Sequence, residues 1–235
     1  MGEDENKLKR AAARSAVRLV ADGMVVGLGT GSTAAFAISS LGERVQAGLR
    51  IVGVATSERS AAQARSVGIR TVDLGDTPRV DLTIDGADQV EEETLDLIKG
   101  EGGALLREKI VACASDRLII IVHGAKLVQH LAAHGILPIE IVPFGWQVTA
   151  RRLSKLGAQP TLRKAADGSP FHTDSGNFIV DCAFHESVSP PSMAEALDHV
   201  VGLVEHGFFI DLASEVHVAE LGGVRVLKRS ALASG

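Results

Sequence analysis

Four short strand-like runs, each set off from the next by a helical stretch, limit what this chain can fold into more than any other feature. Met24 to Leu28, Ile51 to Ala55, Val80 to Ile84 and Leu118 to Val122 have strand length and apolar character. Helical spacing recurs around them: Leu8, Ala12, Ala16 and Leu19 first, then Ala34, Ile38 and Leu41. A helix of small residues starts at Thr56-Ser57-Glu58 and ends near Gly68, and Gly103 to Ser115 reads as another. Strands alternating with helices predict an α/β fold, a parallel sheet covered on both faces.

The texture changes after about Leu131. Ile136 to Val142 is a Pro-punctuated extended run, and Gln147 to Leu156 reads as a helix ended by Gly157. Thr161-Leu162, Phe171-His172 and Asn177 to Cys182 read as short strands joined by turns such as Asp167-Gly168 and Asp174-Ser175-Gly176. Ser189-Pro190-Pro191-Ser192 caps a predicted helix through Val201, and Glu215 to Leu227 returns to strand-like alternation around Gly222-Gly223. The expected division is a main unit of residues 1–131 and 208–235, with a small α+β unit at 132–207.

Composition narrows the function. With 235 residues, 46% of them apolar, there is enough chain for one large domain or two modest ones. A net charge of -5 with scattered basic residues gives no footing for nucleic acid, and 3% aromatics without Tyr gives no stacking platform. Cys113 and Cys182 have neither disulfide nor zinc spacing. The polar start MGEDENKLKR lacks a signal-peptide pattern, and no apolar run has membrane-spanning length. A cytoplasmic protein with no membrane partner is expected.

Three loops carry the chemistry. Gly27-Leu28-Gly29-Thr30-Gly31-Ser32-Thr33 is a strand, a turn and a helix start. Its glycines admit a ligand close to the backbone, and its amides attract an anion. Ser32 stands where a dinucleotide fingerprint needs Gly, Thr56 stands where it needs an acid, and no Gly-Lys-Ser/Thr ending makes a P-loop. A small phosphate or sugar hydroxyls fit; taken alone, so does a tight turn with Ser/Thr caps. Asp85-Gly86-Ala87-Asp88 ends a predicted strand, where open α/β sheets bind ligands. An Asx turn and a magnesium site are the other readings, the second disfavoured by the nearby Lys99. Lys99-Gly100-Glu101-Gly102 is a flexible loop whose lysine suits an enolate-like oxygen, although a surface lysine before a turn reads the same way. Glu108 shares a helix face with Ala104, Leu105, Val111 and Ala112. Desolvation there would raise its pKa toward base duty, whereas a solvated Glu beside Arg107 and Lys109 is the ordinary alternative. His130 and His134 have metal spacing on a predicted helix but lack a Glu and a third ligand, so no metal is expected.

Taken in order and spacing, these motifs make the chain resemble the A-type ribose-5-phosphate isomerases over nearly its whole length. The matching stretches are GLGTGSTA at 27–34, TSERSAAQA at 56–64, IDGAD at 84–88, IKGEGGALLREKIVA at 98–112, AKLV at 125–128, KLG at 155–157 and DSGNFIVD at 174–181. The resemblance implies a Rossmann-like parallel domain with a smaller ferredoxin-like α+β domain, in dimers or tetramers. It implies interconversion of ribose 5-phosphate and ribulose 5-phosphate, in the non-oxidative branch of the pentose phosphate pathway, without metal or organic cofactor. Thr30, Gly31, Ser32, Thr33, the Asp85–Asp88 loop and the Lys99–Gly102 loop would line the substrate pocket, with Lys126 as a further contact. Glu108 would be the proton acceptor, with Lys99 and Asp85 also catalytic. The phosphate is expected at Ser32 and Thr33, helped by Lys7 or Lys126. Two residues depart from the pattern: many relatives have Gly where Glu101 stands and Ser where Ala125 stands. The competing classes are a sugar-phosphate sensor, which would bind without turnover, and a deaminase or lactonase on the same scaffold.

Overall fold

The computed structural model describes residues 2–77, 79–133, 135–184 and 189–229. The chain runs α1 (Gly2–Val17), β1 (Val25–Leu28), α2 (Ser32–Gln46), β2 (Val52–Ala55), α3 (Glu58–Ser66), β3 (Arg70–Thr71) and β4 (Leu82–Asp85). Next come β5 (Gln89–Glu91), β6 (Leu97–Ile98), α4 (Leu105–Cys113), β7 (Leu118–His123), a 3-10 turn at Gly124–Lys126, and β8 (Leu127–Val128). Then follow β9 (Ile136–Ile141), α5 (Trp146–Lys155), β10 (Ala158–Leu162), β11 (Phe178–Phe184), α6 (Pro190–Asp198), β12 (Leu203–His206), β13 (Phe208–Phe209), β14 (Glu215–Glu220) and β15 (Gly223–Lys228).

The main sheet has the order β15-β14-β7-β4-β1-β2-β3. Its neighbours are parallel except for the edge hairpin of β14 and β15. From β1 the chain steps outward through β2 and β3, then returns to the other side of β1 with β4. The direction of winding reverses between β1 and β4, and a crevice opens there at the carboxyl ends of the strands. Apolar side chains on both faces explain the uninterrupted Leu118–Val122 run. Ile119 and Ile121 join the core under α1 and α2, while Leu118, Ile120 and Val122 join the opposite core with Val216, Val218 and Phe209.

Residues 136–206 form a second sheet, ordered β10-β11-β9-β12 and wholly antiparallel. Its β-α-β-β-α-β succession is that of a ferredoxin-like unit. A small third sheet, β13-β6-β5-β8, joins the two. Ile98 and Phe208 pack into the core of the antiparallel unit, whereas Leu97 and Phe209 pack beneath the main sheet. Lys99 therefore leaves a strand pair anchored on both sides.

Several expectations need correction. Phe171-His172 is not a strand; only a single bridge from His172 to Phe178 forms. The last helix ends at Asp198, not Val201, before Gly202 takes a φ of 94°. Ser189 precedes that helix without a side-chain capping bond. His130 lies in a bend after β8 rather than on a helix, with Nδ1 3.6 Å from Glu91. His134 falls outside the described residues, as do 230–235 at the end of the expected main unit. Among the described residues no helix is long and apolar enough to cross a membrane.

Candidate active site

The crevice between β1 and β4 deepens into a cavity of about 340 Å³, within the range of small-molecule sites. Thr30 to Thr33, Gly86 to Asp88, Lys99 to Gly102, Glu108 and Lys126 all line it. The structure thus brings three separate loops and α4 together around one cavity. Asp85 is the exception. It lies behind the wall, 1% exposed, and does not line the cavity.

Local chain geometry explains the closeness of the first two loops. Gly29 leaves β1 against Asp85; a Cβ there would lie 2.6 Å from the Asp85 Cα and 2.1 Å from its Oδ1. Only glycine lets the two strand ends approach so closely. Gly31 has a φ of 112° and starts α2 without a side-chain cap, which leaves the helix amides to face the cavity. A buried hydroxyl network braces this loop from below. Thr30 Oγ1 lies 2.7 Å from both Thr56 Oγ1 and Ser57 Oγ, and Ser60 Oγ donates to the Gly29 carbonyl at 2.7 Å.

Asp85, Lys99 and Glu108 form one buried cluster. The Asp85 carboxylate accepts the amides of Thr30 at 3.0 Å and Gly86 at 2.7 Å. Lys99 Nζ lies 3.0 Å from Asp85 Oδ2 and 3.2 Å from Glu108 Oε2, and donates to the Gly86 carbonyl at 2.6 Å. Among the described residues, no hydrogen bond of good geometry engages Glu108 Oε2. One ammonium thus faces two buried carboxyl groups. Burial raises the Asp85 carboxyl, against Lys99 and the amides of Gly86 and Thr30 that favour its charge, and Glu108 has fewer such partners. Burial, aided by the nearby Asp85 charge and opposed by Lys99, pushes the Glu108 carboxyl up to about 8. Burial alone would depress Lys99, but Asp85, Glu108 and Asp88 outweigh it and hold the ammonium charged. Burial also raises Asp88, whose carboxylate accepts the Glu101 amide at 2.8 Å.

The cavity mouth differs from expectation in its cations. Lys7 is exposed and contacts Asp4, away from the cavity. Lys9 lines the cavity instead, donating to Ser32 Oγ at 2.9 Å and pairing with Glu5 at 2.6 Å. Glu5 and Arg59 also line the cavity, and neither was legible as a site residue. The departure at Glu101 has a structural outlet: its side chain is 76% exposed and lies 3.7 Å from Lys126.

A parallel sheet that opens a polar cavity at its reversal point, with buried carboxyl groups and a fixed ammonium around it, is the framework of an α/β enzyme. Residues 52–223 match the family Ribose 5-phosphate isomerase A (phosphoriboisomerase A). The ribose-5-phosphate isomerase A of Gloeobacter violaceus is 58% identical over 228 residues, covering 97% of this chain and 99% of that protein. The solved ribose 5-phosphate isomerase A of Methanocaldococcus jannaschii is 38% identical with a TM-score of 0.91, covering 94% of this chain and 98% of that one. A D-ribose-5-phosphate isomerase in complex with phospho-erythronic acid is likewise 38% identical with a TM-score of 0.91, covering 95% of this chain and 98% of that one. The chain belongs to the ribose 5-phosphate isomerase A family, and so to the isomerases.

Proposed function

We propose that this chain interconverts D-ribose 5-phosphate and D-ribulose 5-phosphate through a cis-enediolate, with Glu108 as the base. The observation that carries this reading is the Glu108 carboxyl, buried in the cavity wall with Oε2 3.2 Å from the Lys99 ammonium. In the open-chain aldose, Glu108 takes the proton from C2, and the electron pair moves through the new C1–C2 double bond onto O1. Lys99 holds the negative charge that develops there. Glu108 then returns the proton to C1 as the O2 hydroxyl proton passes to O1, which leaves O2 as the ketone and O1 as a hydroxyl. Asp85 is a positioning residue here: it holds Lys99 and the amides of Thr30 and Gly86 in place. Asp88 orients substrate hydroxyls and the Glu101 amide.

The phosphate sits at the open N-terminus of α2, on Ser32 and Thr33, with Lys9 and Lys126 as counter-charges. No metal or organic cofactor is called for, and a chelator should leave the rate unchanged. Binding of phospho-erythronic acid by a relative supports the reading, because its planar, charged carboxylate mimics an enediolate. Dimers or tetramers in the cytoplasm belong to the same proposal, and light scattering measures the assembly.

Following ketose absorbance after adding ribose 5-phosphate tests the activity. Glu108→Gln should lose roughly 10²–10⁴-fold in turnover, the usual share of a general base, while still binding phospho-erythronic acid. Activity within a few-fold of the unaltered chain would reject Glu108 as the base.

A further inference from the structure

The loop that carries Lys99 is gripped from outside the cavity by a residue of the antiparallel unit. Arg163 follows β10, and its Nη1 donates to the carbonyls of Gly100 at 2.8 Å and Glu101 at 3.1 Å. Its Nε and Nη2 donate to the two Asp181 oxygens at 2.9 and 2.5 Å, so the guanidinium is fixed before it reaches the loop. The pair is largely buried, with side chains 17% and 20% exposed. Phe171 supports it. Its ring centroid lies 6.0 Å from the guanidinium carbon, and the ring fills the space a Cβ on Gly103 would take.

Peptide geometry turns this grip into an orientation. In a trans peptide the carbonyl and the following amide point opposite ways, and none of the described peptides is cis. The Gly100 carbonyl turned to Arg163 sends the Glu101 amide the other way, where Asp88 accepts it at 2.8 Å. By the same rule, the Glu101 carbonyl turned to Arg163 sends the Gly102 amide away from Arg163, and Gly102 lines the cavity. Among the described residues that amide has no hydrogen-bond partner.

We propose that Arg163, held by Asp181, is a positioning residue that presents the Gly102 amide to a substrate oxygen. The inference rests on the isomerase reading for the identity of the ligand. A lysine at 163 keeps the charge but lacks the planar fork needed to hold two carbonyls and a carboxylate together.

The test compares Arg163→Ala, Arg163→Lys and Asp181→Asn with the unaltered chain in ribose 5-phosphate turnover, with thermal midpoints recorded alongside. We expect Arg163→Ala to raise KM roughly tenfold, the scale of one oriented hydrogen bond. Its kcat should fall less than threefold, and the Glu108 limb of its pH profile should stay in place. Arg163→Lys and Asp181→Asn should fall between. A KM within twofold in folded Arg163→Ala, or a loss of kcat alone that follows the loss of folded protein, overturns the proposal. If Arg163→Ala does not fold, the KM of Arg163→Lys decides by the same criterion. If the unaltered chain does not turn over ribose 5-phosphate, the isomerase reading fails on its own. Hydrogen exchange then decides the loop: faster exchange at the Glu101 and Gly103 amides in Arg163→Lys supports the grip, and unchanged exchange refutes it.

Discussion

Glu108 was legible in the sequence because its helical neighbours at the same face are Ala104, Leu105, Val111 and Ala112, and such a face packs inward. Its burial at 4% exposure follows from that pattern. Lys9, which lines the cavity beside Ser32, was missed in favour of Lys7, and helical phase separates the two. Lys7 and Lys9 differ by two residues, about 200° around a helix; Lys9 stands three and four residues before the buried Ala12 and Ala13, at the edge of the inward face of α1, whereas Lys7 stands off it. We expect Lys9→Ala to raise KM for ribose 5-phosphate about tenfold and Lys7→Ala to leave it unchanged; parallel KM measurements check this. The Glu108 carboxyl, raised from an ordinary 4.5 to about 8, makes a second prediction. In the proposed mechanism the carboxylate is the working form, so kcat/KM should climb with pH and level off above about 8. Stability should move the other way. Between 4.5 and about 8 the folded chain keeps a proton that the unfolded chain releases, so the folded state loses ground as pH rises through that window. Thermal midpoints from pH 5 to 8 should fall, and the slope should flatten in Glu108→Gln.

At the scale of elements, long periodic helices and the central strands could be read in advance, and the two-residue strands could not. β3, β6, β8 and β13 exist because neighbours pair with them, and no period of two fits into two residues. β12, with residues of mixed burial, gave no alternation to read. Phe171 looked like a strand residue because aromatics favour sheets, yet its ring is used to pack on Gly103. The start of α4 is another tertiary effect. Ala104 offers no capping side chain, and the buried Glu140 of β9 lies beside this turn, accepting from Thr173 Oγ1 and Asn177 Nδ2 at 2.9 Å each. Glu140→Ala would strand these donors, at a cost on the order of 1–3 kcal/mol. Urea unfolding should register that loss as a lower midpoint with an unchanged slope.

At the scale of the molecule, the change of texture near Leu131 pointed to a second unit, and the antiparallel sheet does draw all its strands from 136–206. What the sequence could not convey is how closely that unit is fastened to the cavity. Arg163 reaches the Lys99 loop, Glu205 holds Lys109 beside Glu108, and the core of that unit takes in Ile98 and Phe208. Such contacts join residues far apart in the chain, and local patterns carry no trace of them. The rims of the seven-stranded sheet have a consequence of their own. One rim is β3, too short to template another strand, and the other is β15, which sets Arg225 and Lys228 along its length. A chain cut before Gly223 would bare β14, whose interior residues Val216 to Ala219 are all buried. Light scattering of that shortened chain should reveal oligomers that grow with concentration, because an unguarded rim pairs with its copies as readily as it once paired with its own hairpin.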